Sequence, residues 1–153
     1  MTFSELGLHE AILKALAFAG YSEPTPVQAQ AIPAMIAGHD LLVTSQTGSG
    51  KTAAFMLPAL HRLAEMPRPP REARTPNQER QSARSRGARP RFQPAKPKML
   101  VLTPTRELAL QVTTAADKYA GTLRHLKAVA ILGGMPYPKQ KELLSRNPAI
   151  LLA

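Results

Sequence analysis

The run from Leu41 to Thr52 constrains the fold of this chain more than any other stretch. It begins with the apolar residues Leu-Leu-Val, and Ser-Gln-Thr-Gly-Ser-Gly-Lys-Thr then leads into the helix-forming residues 53–57. This order predicts a β-strand over residues 40–44, a tight loop and the beginning of a helix. Backbone N–H groups in such a loop can point at an anion, and the positive end of the helix dipole adds to the attraction.

The residue types in this loop favour phosphate as the anion. Gly48 and Gly50 allow backbone conformations and a close approach that a Cβ atom would prevent. Lys51 can reach the β- and γ-phosphates of a nucleotide, and the Thr52 hydroxyl can bind Mg²⁺. The strict phosphate-loop pattern begins with glycine, whereas this chain has Ser45 there, so the sequence matches a variant loop. A Gly/Ser turn before an ordinary helix is the alternative interpretation.

Length and composition limit the class of protein. The chain has 153 residues, of which 44% are hydrophobic, enough for one domain with a core. No apolar run is long enough to cross a bilayer, and the first residues show no secretory signal, so we expect a cytoplasmic protein. The absence of cysteine excludes disulfides and thiolate metal sites. The four histidines are too far apart in sequence to suggest a metal site.

Most of the positive charge lies in one segment. The net charge is +10, and residues 66–98 contain ten basic and two acidic residues, which leaves the rest of the chain nearly neutral. This segment is rich in Pro, Arg, Ser and Gln and contains one aromatic residue. It cannot bury enough apolar surface to offset the entropy lost on ordering, and we therefore predict a disordered insertion over 66–98.

Apolar strands alternate with amphipathic helices along the remaining sequence. Besides the strand over 40–44, the patterns predict strands at 99–103, 127–132 and 149–152 and helices at 6–19, 26–37, 52–65, 104–121 and 136–146. Gly20 ends the first helix, while Thr25 and Pro26 suit the N-cap and first position of the second. The alternation predicts an α/β fold with a mostly parallel sheet covered by helices on both faces.

Three candidate sites follow predicted strands. They are the phosphate loop, the segment Pro104-Thr105-Arg106 and the pair Gly133-Gly134. Because right-handed crossovers place the carboxyl ends of parallel strands at one edge, we expect all three to line that edge, where ligands bind in such sheets.

Four motifs in order resemble the N-terminal half of a DEAD-box ATP-dependent RNA helicase, with the bacterial RhlE-like branch as the nearest likeness. They are Gly20-Tyr21-x-x-Pro24-Thr25-Pro26-Val27-Gln28, Ser45-Gln46-Thr47-Gly48-Ser49-Gly50-Lys51-Thr52, Pro104-Thr105-Arg106-Glu107-Leu108-Ala109 and Gly133-Gly134. The resemblance implies a three-layer α-β-α, RecA-like P-loop NTPase fold that is incomplete at its carboxyl end. It also implies that residues 1–153 are part of the N-terminal helicase domain, with the adenine-sensing Q-motif region at 1–38.

The resemblance implies that ATP and Mg²⁺ are the cofactors. Lys51 and Thr52 would be catalytic, Thr52 would hold the metal, and Gln28 would read the adenine edge, with Tyr21 and Phe3 packing on or near the base. The implied cofactor-binding residues are Phe3, Tyr21, Thr25, Gln28, Ser45, Gln46, Thr47, Gly48, Ser49, Gly50, Lys51 and Thr52. Family members usually have alanine at the position of Ser45, a difference that we expect to matter little.

RNA is the implied partner, bound through its backbone with little sequence preference. The residues implied to contact it are Pro104, Thr105, Arg106, Glu107, Gly133 and Gly134. A surface ion pair is the alternative role for Arg106, and a plain strand-exit turn is the alternative for the two glycines. The insertion over 66–98 is read either as an auxiliary RNA tether or as a solvated linker, and the linker is the favoured reading.

Other family features are missing from these 153 residues. There is no Asp-Glu-Ala-Asp sequence to hold Mg²⁺ or position water and no Ser-Ala-Thr sequence, and a second RecA-like domain would have to supply arginines. We therefore expect a fragment without RNA-stimulated ATPase activity, whose parent hydrolyses ATP and unwinds RNA. The alternatives are a non-catalytic module for adenine nucleotide or RNA and a different P-loop enzyme such as a small-molecule kinase, against which Pro24-Thr25-x-x-Gln28 argues. We also expect an uncovered sheet edge and apolar face.

Overall fold

The computed structural model describes residues 1–67, 95–121 and 123–153, which form six helical segments and three strands. In chain order they are a 3₁₀ turn (Phe3–Leu6), α1 (Glu10–Phe18), α2 (Pro26–Ile36), α3 (Lys51–Glu65), β1 (Met99–Val101), α4 (Arg106–Ala120), β2 (Ala128–Ala130), α5 (Tyr137–Ser145) and β3 (Ile150–Leu152). The predicted disordered insertion over 66–98 lies, for its residues 68–94, outside the described residues.

The three strands form a parallel sheet in the order β1-β3-β2. Ile150 of the central strand is paired with Met99 on one side and Ala128 on the other. Ile150 and Leu152 are fully buried, as expected for a strand enclosed on both sides. The predicted α/β architecture with a parallel sheet is therefore confirmed, and all three predicted strands after residue 98 are present.

The prediction of a strand over residues 40–44 is wrong for this structure. These residues belong to no strand, and they make no backbone hydrogen bond to any other described segment. Leu42 is 96% exposed, although it lies in the middle of the apolar run. An apolar run favours an extended backbone, but a strand also needs a neighbour that accepts and donates the ladder hydrogen bonds.

The helix boundaries follow the predicted caps. The first predicted helix, 6–19, begins later than predicted, at Glu10, because the left-handed Gly7, with φ of 76°, separates it from the 3₁₀ turn; α1 stops just before Gly20, with φ of 80°. Helix α2 begins at Pro26 with Thr25 as its N-cap, as predicted. A proline at the first helical position loses no hydrogen bond, because that N–H has no partner within a helix.

The hydrophobic core lies among the helices and the sheet. Helix α2 packs on α3, while α4 packs on α1, α3 and β2. The largest fully buried apolar side chains of this core are Ile12, Leu16, Ile32, Met56, Leu57, Leu60, Ile150 and Leu152. By contrast, Leu100 on the outer strand β1 is 59% exposed, so part of one apolar face of the sheet is uncovered. None of the helices in the described ranges has the length and hydropathy of a membrane span.

Candidate functional site

The phosphate loop is shaped by two left-handed glycines and one lysine. Gly48 and Gly50 have φ angles of 79° and 93°, and Gly50 is the N-cap from which α3 begins at Lys51. The Lys51 Nζ atom donates hydrogen bonds to the carbonyl oxygens of Ser45 and of Gln46, the latter at 2.6 Å. The ammonium group is therefore held at the loop, beside the positive end of α3, where an anion would be attracted.

Ser45, the departure from the strict pattern, has a contact of its own. Its hydroxyl lies 2.6 Å from the Ser49 hydroxyl, so the two side chains share a hydrogen bond across the loop. Alanine at this position could not make this bond. This contact was not predicted, although two serines four residues apart in a loop of small residues were a signal for it.

Gln28 connects the second helix to the phosphate loop. Its Nε2 atom donates to the carbonyl oxygen of Gly50 at 3.2 Å, and its Oε1 atom accepts from the backbone N–H of Thr25 at 3.1 Å. The side chain is buried, with 6% of its surface exposed. Each end of the amide has one further hydrogen-bonding position, because the nitrogen carries two hydrogens and the oxygen two lone pairs. The amide can thus hold the loop and still meet a second polar ligand.

Two observations around Gly50 test whether the site fits a nucleotide. A Cβ atom on Gly50 would overlap the Gln28 Nε2 atom, so only glycine allows this close approach of helix and loop. The buried Thr25 hydroxyl oxygen faces the backbone N–H of Gln28 in a capping box, but its own hydrogen has no acceptor among the described residues, and it lies 3.1 Å from the same Cβ position. A buried hydroxyl hydrogen without an acceptor is costly, and a polar ligand at the loop could remove that cost.

The two aromatic residues implied to contact the base lie in different environments. Phe3 is part of the hydrophobic core and only 5% exposed, which leaves little of its ring for a ligand. Tyr21 is 40% exposed and packs edge-on against Tyr119, with ring centroids 6.1 Å apart. The Lys118 ammonium donates to the Tyr21 hydroxyl at 3.3 Å. Burial, with contributions from Tyr21, raises the pKa of the Tyr119 hydroxyl to about 12.

Thr52 is the only residue of the implied set with a role in metal binding. It is half-buried and occupies the second position of α3, directly after Lys51. Within residues 1–67, 95–121 and 123–153, no group of three or more His, Cys, Asp or Glu side chains could hold a metal. Mg²⁺ usually combines one or two protein oxygens with substrate phosphates, so these residues would supply one hydroxyl to such an ion.

The segments implied to contact RNA meet near the carboxyl ends of the strands, apart from the phosphate loop. The Thr105 hydroxyl accepts from the backbone N–H of Leu108 at 3.2 Å and so caps α4. Arg106 Nη1 lies 3.5 Å from the position that a Cβ atom on Gly134 would take. A cavity of about 190 Å³ lies between Pro104, Thr105, Arg106 and Gly133. Glu107 is exposed beside it.

The structure also bears on the alternative roles of Arg106 and Gly134, a surface ion pair and a plain strand-exit turn. Arg106 is exposed and makes no ion pair with any side chain in the described ranges, which removes the surface-pair alternative for this structure. Gly134 has a left-handed φ of 78°, as a strand-exit turn requires, and this geometry is equally suited to the approach of a ligand backbone.

A larger cavity connects the phosphate loop with the beginning of the Pro104-Thr105-Arg106 segment. Its volume is about 780 Å³, and its lining includes Lys51 and Thr52 on one side and Thr103 and Pro104 on the other. The rest of the lining is mainly apolar and includes Val43 and Leu100. The structure therefore brings the phosphate loop and the Pro104-Thr105-Arg106 segment together, as the predicted shared edge required.

Comparison with known proteins gives consistent results. The family model of the DEAD/DEAH box helicases matches residues 25–153. The ATP-dependent RNA helicase SrmB of Escherichia coli is 40% identical over 152 residues, which cover 99% of this chain and 29% of that protein. The DEAD-box ATP-dependent RNA helicase RhpA of Helicobacter pylori is 36% identical, with 99% and 25% covered.

The solved structures agree with the fold. The RNA helicase Prp28 of Chaetomium thermophilum bound to ADP superposes with a TM-score of 0.74 at 33% identity, covering 99% of this chain and 31% of that one. The chain thus spans less than a third of the length of the relatives described here. With a RecA-like α/β fold and a phosphate loop bound to its second helix, this chain belongs to the DEAD/DEAH box helicase family.

Proposed function

We propose that these residues are the ATP-binding part of an ATP-dependent RNA helicase. The observation that carries the proposal is the hydrogen bond from the Gln28 side-chain amide to the Gly50 carbonyl. This bond places the polar Gln28 side chain beside the phosphate loop. The names of the relatives, which are ATP-dependent RNA helicases, support the same conclusion.

Each part of the nucleotide has a candidate partner in this proposal. The backbone N–H groups of residues 46–52 and the Lys51 ammonium bind the phosphates, and Lys51 exchanges its two loop carbonyls for phosphate oxygens. Gln28 uses its remaining hydrogen and lone pair on the adenine edge, and Thr25 supplies a hydroxyl hydrogen that has no acceptor among the described residues. Mg²⁺, when bound, would neutralise charge on the phosphates, and Thr52 would be its protein ligand here.

RNA is proposed to bind at Arg106 and the Gly133-Gly134 turn. The Arg106 guanidinium is exposed and unpaired among the described side chains, and it faces a small cavity suited to a phosphate group. The cap of α4 at Thr105 places a helix N-terminus at the same spot, which also favours a phosphate. A second RecA-like domain and a cytoplasmic location complete the proposal for the parent protein.

Binding without turnover is proposed for these residues by themselves. Hydrolysis by this reaction class needs carboxylates at Mg²⁺ and an arginine at the γ-phosphate. The described residues contain no acidic cluster near Thr52 that could serve the first need. Any such groups would come from other parts of the parent, and we expect no RNA-stimulated ATPase activity from the 153 residues above that of Lys51→Ala.

A titration with fluorescent ATP and GTP in the presence of Mg²⁺ tests the nucleotide proposal. We expect Lys51→Ala to weaken ATP binding about 10–100-fold, because hydrogen bonds to charged groups contribute about 1.5–3 kcal/mol. Gln28→Ala should reduce the preference for ATP over GTP. Lys14→Ala, which removes an exposed lysine on α1, is the matched control and should bind normally. Equal binding of GTP and ATP by the unmodified chain would refute the adenine-reading role.

A further inference from the structure

A second cavity lies at the opposite edge of the sheet from the phosphate loop. Its volume is about 480 Å³, and it is enclosed by the end of α3 and by the segments that lead into the three strands. Lys98 directly precedes β1, Lys127 directly precedes β2, and Ala149 directly precedes β3. Because the strands are parallel, these residues mark the amino-terminal edge, whereas the phosphate loop and Arg106 lie at the carboxyl-terminal edge.

Positive charge dominates the rim of this cavity, which we name the basic cavity. Five exposed cations line it, and none of the described residues that line it is a carboxylate. The cations are Lys96, Lys98, Arg124, Lys127 and Arg146. Only one of them has an ion-pair partner among the described side chains, since Arg146 contacts Glu142 at 2.9 Å. Lys127 also attracts the Asp117 carboxylate, without forming an ion pair with it.

Backbone hydrogen bonds fix the segments that carry these cations. The Lys98 N–H donates to the Ala149 carbonyl at 2.8 Å, and the Ala149 N–H donates to the Lys127 carbonyl at 3.0 Å. The Lys96 N–H donates to the Asn147 side-chain oxygen at 3.0 Å. Asn147 has a φ of 49° and is the one non-glycine residue with left-handed φ in the described part of the chain. Three segments distant in sequence are thus joined into one charged surface.

The floor of the basic cavity is apolar. Leu63, Leu126 and Pro148 are buried beneath the cations and offer no side-chain hydrogen-bond donor to an ion. A small anion is usually held by donors that converge on one point, such as a helix N-terminus, whereas a nucleic acid backbone is held by separate cations at successive phosphates. Long basic side chains above an apolar floor suit the second kind of ligand.

We propose that the basic cavity binds RNA phosphate backbone at a site separate from Arg106 and the Gly133-Gly134 turn. The choice of RNA as the polyanion rests on the proposed function. The residues Pro67 and Lys96, which flank the stretch 68–94 in sequence, both line the cavity. The stretch itself is not part of the proposed site, but its eight arginines have to be separated from the cavity in any test.

The test compares two variants with the same loss of charge. The cavity variant carries Lys96→Gln, Lys98→Gln and Lys127→Gln, and the control variant carries Lys14→Gln, Lys139→Gln and Lys141→Gln, which are exposed and lie away from the cavity lining. Binding of a fluorescent 20-nucleotide single-stranded RNA is measured from 50 to 200 mM KCl. Both variants are also made in a chain in which a short Gly/Ser linker replaces residues 68–94.

We expect the cavity variant to bind RNA about tenfold more weakly at 100 mM KCl and the salt slope to fall by about 2, because each lost contact to single-stranded RNA reduces the slope by about 0.7. The control variant should keep both values close to those of the unmodified chain, and the same difference should appear without residues 68–94. Equal losses in the two variants would reduce the effect to net charge and overturn the proposal. The proposal would also be overturned if millimolar inorganic phosphate displaced the RNA, or if the cavity variant lost binding to anionic vesicles as strongly as binding to RNA.

The same measurements separate this proposal from the proposed function. Arg106→Ala should weaken RNA binding by an amount that adds to the effect of the cavity variant, because the two sites lie at opposite edges. If Arg106→Ala weakens binding and the cavity variant does not, the basic cavity is refuted and the proposed function stands. If the unmodified chain binds RNA through the cavity but fails to bind ATP, the proposed function is refuted. Normal ATP affinity in the cavity variant confirms that it is folded.

Discussion

Residues 40–44 and strand β1 have the same kind of sequence, and they differ in what lies beside them. Both are short apolar runs that lead into a segment implied to bind a ligand. Strand β1 is paired in register with β3, whereas residues 40–44 have no backbone partner among the described segments. The cavity of about 780 Å³ lies between the two, lined by Val43 on one side and by Leu100 on the other.

The difference shows which part of the fold holds the phosphate loop. The sheet cannot hold it, because residues 40–44 are outside the sheet. The loop is instead fixed from the helical side, by the Gln28 bond to Gly50 and by the packing of α2 on α3. Nucleotide binding in this chain should therefore depend more on the helices than on the strand that the sequence predicts before the loop.

The largest effect should come from comparing residues 40–44 with the central strand β3, on which β1 is paired. We expect Ile150→Ala, at the fully buried centre of the sheet, to lower the free energy of unfolding by about 2–5 kcal/mol. Val43→Ala should cost less than about 1 kcal/mol, because Val43 is 39% exposed and unpaired. Urea unfolding at equilibrium measures both values. The milder Ile150→Val, at about 0.5–1.5 kcal/mol, serves if the alanine variant does not fold.

This comparison would break if Val43→Ala destabilised the chain as strongly as Ile150→Ala. Residues 40–44 would then be paired in solution. Hydrogen exchange provides an independent readout, since amides of residues 41–44 should exchange rapidly while those of β3 are protected.

The sequence predicted best what local residues decide. The cap at Thr25 and the stop at Gly20 located two helix ends, because N-caps and left-handed glycines act within a few residues. The three paired strands also followed from the alternation of strands and helices. The strand over 40–44 did not, since pairing depends on a neighbour that a local pattern does not contain.

The residues of the candidate site could be predicted from the sequence, but the hydrogen bonds between them could not. The resemblance implied Gln28 as a ligand of adenine, but its bond to Gly50 joins residues 22 positions apart, and no local pattern indicates it. In the same way, the basic cavity combines Lys96, Lys127 and Arg146 from separate segments. Its cations were present in the sequence, but the prediction assigned most of the net charge of the chain to the stretch 66–98, whereas Arg124, Lys127 and Arg146 lie outside that stretch.

The second prediction concerns the bond that holds the loop to the helices. Gly50→Ala should lower the free energy of unfolding by about 1–3 kcal/mol, because alanine is strained at a φ of 93°. Its Cβ would also overlap the Gln28 amide and displace the loop, so ATP affinity should fall as well. Urea unfolding and ATP titration measure the two effects.

A double-mutant cycle identifies the cause. In Gly50→Ala with Gln28→Ala the overlap is absent, so the combined loss should be smaller than the sum of the single losses. If the losses were strictly additive, Gln28 would not hold the loop.

The third prediction probes the helical side through pH. The folded-state pKa of Tyr119 is raised from 10 to about 12 by burial first, and then by Tyr21. The neutral hydroxyl is favoured in the folded state, so this contribution to stability is complete below pH 10 and is lost as pH rises through 12. Urea unfolding at pH 9 and pH 10.5 should show a loss of less than about 1 kcal/mol from this group. The loss should be absent in Tyr119→Phe; an unchanged pH dependence in that variant would assign the effect to other groups.

The smallest effect should come from the bond within the loop. Ser45→Ala removes the hydroxyl contact to Ser49, which is exposed and between neutral groups, so its net contribution is at the low end of about 0.5–1.5 kcal/mol. ATP affinity should therefore change by less than about threefold. Ser49→Ala is the matched control, since it removes the other half of the same bond and should have the same effect. A tenfold loss of ATP affinity in both variants would mean that the Ser45–Ser49 bond determines the loop conformation. The bond from Gln28 to Gly50 would then contribute less than we propose.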